Sequence, residues 1–497
     1  MSLTSKSIRG SAWIGIAVVL GAIVQIVQLA VLARLLTPHD LGVVAAVLVI
    51  TAFADLIATM GISNSIIQRQ TATASELSSL SWLNVMVGVL VAILTLLTSP
   101  LVGLFFRDPQ IATLTALLAV VFVVSPFAQV PRGVLERDLR FRSVALTELA
   151  FTLAYAVLSI LAAYFDAGAF GVLVSYVFAV IIRSACLVLL ARSAFRLEFH
   201  FKFAETRRFL SFGVFQSLDS LISFASANAG TLVVGRVVSP SALGGYNLAT
   251  TYAVNFPARV NTILTRVAFP VLSQVQNSRT RLAAGSASVI SAAAILNGPI
   301  LFGLIAAGPT FVVAVFGSSW LWVTPVLQVL ALAGYTRAVG NPMGAILMAA
   351  DRMKLGALVN LVKSIVSIAI IVVFGLSWST IGVAYGMFVV GLAGMLVNYF
   401  LLVYTIGLSP RSAITSNLVG VLFSLPVFVV VWAISAFGNL AGLSVYLNLA
   451  ICVSAGAIVF VLLLALVPSV LREPFQGVLI SLWVFASRRW RGDRGRA

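Results

Sequence analysis

Asn255, Arg259, Thr262 and Arg266 follow one another at steps of four, three and four residues through an otherwise apolar stretch. On an α-helix that spacing puts all four on one face. Arg337 and Asn341 lie one turn apart in a second such stretch, with Arg337 near its midpoint, and Asn360, Lys363, Ser364 and Ser367 share a third. Gln216, Asp219, Ser220 and Ser223 form a further stripe. In the first half of the chain, Gly21, Gln25 and Gln28 form one stripe and Thr51, Asp55 and Thr59 another. An ionised side chain at the centre of a membrane helix costs about 2.5–3.5 kcal/mol on insertion scales, so such residues usually face an internal cavity. Guanidinium groups grip phosphate oxygens in pairs, and an ammonium binds them as a point charge. Arg259, Arg266, Arg337 and Lys363, with the neutral Asn255, Asn341, Gln25 and Gln28, therefore form a candidate cationic cavity suited to a diphosphate. Arg266 lies near the inner surface and could also snorkel, whereas the mid-span depth of Arg337 leaves little room to do so. Asp55 and Asp219 either pair with these arginines or bind a coupling cation or proton.

Other chemistries find no residues. There is no P-loop, and His39 and His200 are isolated with no metal-ligand spacing. The carboxylates are too scattered for a paired acid/base site. Cys186 and Cys452 fall inside apolar stretches, which implies neither a disulfide framework nor a metal site. No cofactor and no enzymatic activity are implied.

The elements that carry these residues follow from composition. Of the 497 residues, 61% are hydrophobic and 9% charged, and the mean hydropathy is +1.11. A soluble domain carries about 25% charged residues, so this chain is an all-α, polytopic membrane protein. The net charge of +17 does not point to nucleic acid, because the basic residues are dispersed through short connections. Lys6 and Arg9 precede an apolar run too long for a signal peptide, so the first helix is expected to be retained.

Hydropathy predicts about fourteen spans, at 11–35, 41–67, 81–105, 111–131, 144–165, 169–191, 210–237, 243–268, 284–315, 324–350, 357–376, 380–404, 415–437 and 444–467. Even-numbered connections hold the positive charge, including Arg132, Arg137, Arg140 and Arg142 after the fourth span. Odd-numbered connections carry only Arg34, Arg107 and Arg236 at helix ends, so both termini are expected in the cytoplasm. Connections on the outer face stay below about ten residues, too short for the catalytic loop of an external polymerase or glycosyltransferase. The longest inner connection, 192–208, alternates basic and aromatic residues and reads as an amphipathic segment on anionic lipid. The basic tail reads in the same way.

One segment occurs twice. Val31 to Gly42 reads VLARLLTPHDLG, and Val233 to Gly244 reads VVGRVVSPSALG. Each copy ends an apolar helix, which predicts two similar bundles in tandem, an architecture of transporters. The expected organisation is an N-terminal lobe over 1–206, a second lobe over 207–408, two additional helices over 409–467 and a basic cytoplasmic tail over 468–497.

The chain resembles the polysaccharide-transporter branch of the multidrug/oligosaccharidyl-lipid/polysaccharide exporter superfamily, the Wzx-type flippases, and within it the colanic-acid and xanthan exporters. The resemblance rests on VLARLLTPHDLG, SNSIIQR (Ser63 to Arg69), SWLNVMVG (Ser81 to Gly88), ERDLRFRS (Glu136 to Ser143) and RVAFPVLSQ (Arg266 to Gln274). It implies two six-helix lobes in a V around a central, typically cationic cavity, with two helices after them. It implies translocation of an undecaprenyl-diphosphate-linked oligosaccharide across a bacterial inner membrane. A monomer is expected, because the cleft lies within one chain. The implied partners are this glycolipid, membrane lipids, a coupling cation or proton, and the polymerase and export proteins of a surface polysaccharide. A lipid II-type flippase for peptidoglycan precursors and a cation-coupled drug antiporter of the same superfamily remain alternatives. An antiporter would prefer an acidic cavity.

Overall fold

A computed structural model describes residues 3–59, 66, 72–349 and 353–466, and the basic tail over 468–497 lies outside them. Among the described residues there are helices and connections and no strand. The first helices are α1 (Leu3–Leu35), α2 (Pro38–Thr59), α3 (Ala74–Phe106), α4 (Pro109–Val124), α5 (Pro126–Arg137), α6 (Phe141–Tyr164), α7 (Gly168–Ala191), α8 (Phe203–Val237) and α9 (Pro240–Thr250). A π-helical turn over Thr251–Asn255 leads into α10 (Phe256–Gln274). There follow α11 (Arg279–Ala306), α12 (Gly308–Val315), α13 (Thr324–Gly340), α14 (Met343–Ala349), α15 (Met353–Ile406), α16 (Pro410–Leu440) and α17 (Val445–Leu466).

Nine of the described helices are long and apolar enough to cross a membrane, or ten when α4 and α5, bent by 45° at Ser125, count as one span. The chain is a multi-pass membrane protein. Several of the fourteen expected spans fold as interrupted helices. The span at 243–268 contains the π-helical turn, and that at 324–350 breaks at Asn341 and Pro342 between α13 and α14. The spans 357–376 and 380–404 are the two arms of α15, which turns at Trp378 and Ser379. Pro299 is accommodated inside α11, whereas Gly308 and Pro309 open α12.

The chain divides into two compact units, Met1–Leu248 and Ala249–Ala497. In the first, both copies of the repeated segment make helix-to-helix turns, α1 into α2 and α8 into α9, and they pack on each other. A Cβ on Gly42 would collide with the Pro240 carbonyl, and one on Gly244 with the Pro38 carbonyl. Only glycine permits this reciprocal approach of backbone to backbone. The turn around Asp40 is tied down further. Its carboxylate accepts from Thr37 Oγ1 at 2.6 Å and from the Ala169 amide at 3.3 Å, at the start of α7. His39 pairs with Asp108, the N-cap of α4, at 2.7 Å. Arg236 donates to the carbonyls of Leu104 and Phe105 at 3.1 and 2.8 Å and so caps the end of α3.

The connection 192–202 is an irregular strap, not a helix. Its period of two explains this, since alternation suits an extended backbone. Glu198 and Lys202 amides donate to the Ser78 and Ser79 hydroxyls, and Trp82 Nε1 donates to the Glu198 carbonyl at 2.9 Å. Phe195 is buried, while Phe199 and Phe203 stay exposed. The Ser79 hydroxyl donates to Glu205 at 2.6 Å, and with His200 it holds that carboxyl below its ordinary range.

Two predictions follow from this packing. Gly42→Val and Gly244→Val should each destabilise the protein by about 1–3 kcal/mol through overpacking. Gly15→Ala, which points into open space, should leave the thermal unfolding midpoint in detergent unchanged. A carboxyl held low in the fold adds stability that is present above its ordinary pKa of 4.5 and is lost as pH falls through the lower folded value. Acidification below pH 4.5 should therefore loosen the strap, read from Trp82 emission, and Glu205→Gln should abolish that pH dependence.

Candidate cationic substrate site

In the second unit, three expected cations stand on helices that are joined to one another. Arg259 lies one turn after the π-helical segment that ends at Asn255, and both side chains are exposed. Arg337 is exposed in the last turn of α13, where the helix macrodipole favours a cation. The midpoint of its span is thus a break, with Asn341 exposed at the helix cap. Lys363 is half-buried on α15.

Two asparagines fasten these helices. Asn261, fully buried on α10, donates to the Ala338 carbonyl at 2.8 Å, beside Arg337, and accepts from Asn297 of α11 at 2.8 Å. Asn398, on the second arm of α15, accepts from Lys363 Nζ at 3.0 Å and donates to the Gly340 carbonyl at 3.3 Å. The carbonyls freed where α13 ends are therefore partly satisfied by the side chain that positions the lysine. Neither asparagine was legible as a site residue, because each is a single neutral amide whose partners lie on other helices.

The second unit almost lacks acid. Between Asp219 and Glu473 the sequence holds one carboxylate, Asp351, which lies outside the described residues. Among the described residues no carboxylate pairs with Arg259 or Lys363. The side chains of Arg266 and Asp219 also lie outside the described set.

The first unit handles charge differently. Glu148 on α6 accepts from Arg132 at 2.9 Å and faces Arg183 of α7 at 3.9 Å. Arg132 also pairs with Glu136 at 3.0 Å. It sits on α5, a helix, where the sequence reading put a connecting loop. Asp55 lies within electrostatic reach of Arg183 and Arg132. Glu148 and Arg183 were missed, although each is a lone charge within an apolar span. Gln28 is buried and donates to Ser159 at 2.8 Å, which ties α1 to α6, while Gln25 is half-buried.

Comparison with known proteins adds the family. A family model described as polysaccharide biosynthesis protein matches residues 31–325. The lipopolysaccharide biosynthesis protein WzxC of Escherichia coli (strain K12) is 35% identical over 435 residues, 87% of this chain and 88% of that protein. The chain belongs to the polysaccharide biosynthesis protein family. The teichuronic acid biosynthesis protein TuaB of Bacillus subtilis (strain 168) is 29% identical over 93% of this chain and 96% of its own. Among solved structures, the lipid II flippase MurJ in an inward closed conformation aligns with a TM-score of 0.74 at 16% identity, over 90% of this chain and 97% of that one. An inward-facing multidrug resistance MATE transporter of the MOP superfamily aligns with a TM-score of 0.61 at 14% identity, over 78% and 96%. These two likenesses concern the fold. The resemblance read from the motifs is thus borne out at the level of the family.

Asn261→Ala should leave the Ala338 carbonyl without its side-chain donor and the Asn297 amide with only the Ala293 carbonyl as acceptor. The expected loss is about 1–2 kcal/mol, measured as detergent-solubilised unfolding, with Asn297→Ala non-additive to it.

Proposed function

We propose that this protein is a flippase that carries an undecaprenyl-diphosphate-linked oligosaccharide repeat unit across the bacterial cytoplasmic membrane, by alternating access, for surface or exopolysaccharide biosynthesis. One observation carries the reading: Arg259 and Lys363 stand in a unit that supplies almost no acid of its own. Cations inside a membrane need a counter-charge, and a diphosphate brought by the substrate provides it. Arg259 and Arg337 would grip phosphate oxygens in pairs, Lys363 would add a point charge, and Asn255 and Asn341 would supply neutral hydrogen bonds. The lipid tail would stay in the bilayer.

In this reading the chain has about fourteen spans, six in each of two lobes over 1–206 and 207–408 and two more over 409–467, with both termini in the cytoplasm. Asp55 or Asp219 would take a coupling cation or proton. The same cationic chemistry would serve a lipid II-type precursor, and the motif resemblance favours the surface polysaccharide. An organic cation fits a basic site poorly.

The test is leaflet-resolved transport in proteoliposomes holding a lipid-diphosphate oligosaccharide. Wild type should make the sugar accessible in the opposite leaflet. Arg259→Ala and Arg337→Ala should each slow this by about tenfold or more while still folding, as expected for a lost charged hydrogen bond. Gradient-driven efflux of an organic cation with no glycolipid movement would sink the proposal.

A further inference from the structure

Helix α15 folds back at Trp378 and Ser379, and its two arms, 353–377 and 380–406, pack side by side. A file of glycines on the second arm faces the first. A Cβ on Gly382 would strike the Phe374 carbonyl, and one on Gly386 would press on Ile371 and Phe374. Gly394 continues the file about two turns on, and Asn398 stands one turn beyond it. Near the fold-back, the first arm sets Phe374 and Ile371 against these glycines. At the far end it sets Lys363 against them.

A Cβ on Gly394 would lie 3.4 Å from Lys363 Cε and 3.7 Å from Nζ. The lysine tip is the only group on another part of the described chain within 4 Å of that point. The tip therefore lies over bare backbone, and Asn398 Oδ1 accepts from Nζ at 3.0 Å. An ammonium has three N–H groups, and among the described residues Nζ makes this one hydrogen bond. The same carboxamide donates to the Gly340 carbonyl at 3.3 Å. It so holds Nζ within about 9 Å of the broken end of α13, where Arg337 and Asn341 are exposed.

A lysine drawn out of water is ordinarily balanced by a carboxylate. Here its seat is a glycine and a neutral amide. A carboxylate at 398 would grip the ammonium harder and cancel its charge. A carboxamide grips it and leaves the charge for another group to meet. Its N–H also covers the Gly340 carbonyl, whose lone pairs at the negative end of α13 would repel an anion. We propose that Gly394 and Asn398 are positioning residues that form a neutral seat for Lys363, presenting its uncancelled charge to a phosphate group of the substrate and setting the preference for an anion. This rests on the flippase reading and deepens it, by naming residues that act through the lysine.

The test is proteoliposome transport of a polyprenyl-diphosphate-linked oligosaccharide over a range of glycolipid contents. Asn398→Ala, Gly394→Val and Lys363→Gln should each raise the half-saturating content about tenfold and change the maximal rate less than about threefold, the mark of lost binding. Combined with Lys363→Gln, neither Asn398→Ala nor Gly394→Val should add to that shift, because both act through the lysine. Gly394→Val leaves the bond from Asn398 to Gly340 in place, so it decides the matter if Asn398→Ala does not fold. Asn398→Asp keeps an acceptor for Nζ yet brings a negative charge, and it should raise the half-saturating content at least as much as Asn398→Ala. A fall in maximal rate alone, shifts that add to the lysine variant, or an Asn398→Asp variant that saturates like wild type would overturn the seat and leave the flippase reading standing. Wild type that moves no glycolipid would bring down the flippase reading, and the seat with it.

Discussion

A charge placed inside a membrane must meet an opposite charge, a hydrogen-bonding neighbour or a ligand, and this requirement organises both halves of the protein. The first unit meets it internally. Glu148 stands between Arg132 and Arg183, and the network ties α5, α6 and α7 together. The second unit supplies cations with hardly any acid, and in the proposed function the diphosphate of the substrate completes its electrostatics. A stable internal network and an incomplete one are different devices. The first fixes a bundle, and the second is suited to capture and release.

Irregular backbone stands beside two of the second unit's cations. A π-helical turn precedes Arg259 and α13 stops just after Arg337, whereas α15 turns at Trp378 and Ser379, about four helical turns from Lys363. Each irregularity frees backbone groups that lipid cannot satisfy. Asn261 and Asn398 answer part of that need through the carbonyls of Ala338 and Gly340. The same two amides hold the helices that bear the cations, so local backbone repair and site geometry are one structural fact. Broken helices of this kind are a recurring way for transporters to place polar groups at membrane depth.

The repeated segment shows how a sequence signal and a tertiary contact complement each other. Two copies about 200 residues apart were legible as an internal repeat. Nothing in either copy states that the two pack on each other, with Gly42 against Pro240 and Gly244 against Pro38. Arg236 in the second copy, readable only as a cation at a helix end, caps α3.

By itself the sequence determined the class, the helices and the stripes. Apolar length decides membrane insertion, and helical periodicity is local, so Arg259, Arg337, Lys363 and Asp55 could be picked out without coordinates. Tertiary structure decided what each stripe meets. Arg132 looked like a topology signal in a loop and is a helical residue paired with Glu148. Glu148 and Arg183 gain meaning only as neighbours, because they sit on two helices that meet face to face. Gln28 shares the polar face of α1 with Gln25, yet it is buried on Ser159. Periodicity sorts residues onto a face, but pairing across helices depends on packing between segments far apart in the chain, and no local pattern encodes it.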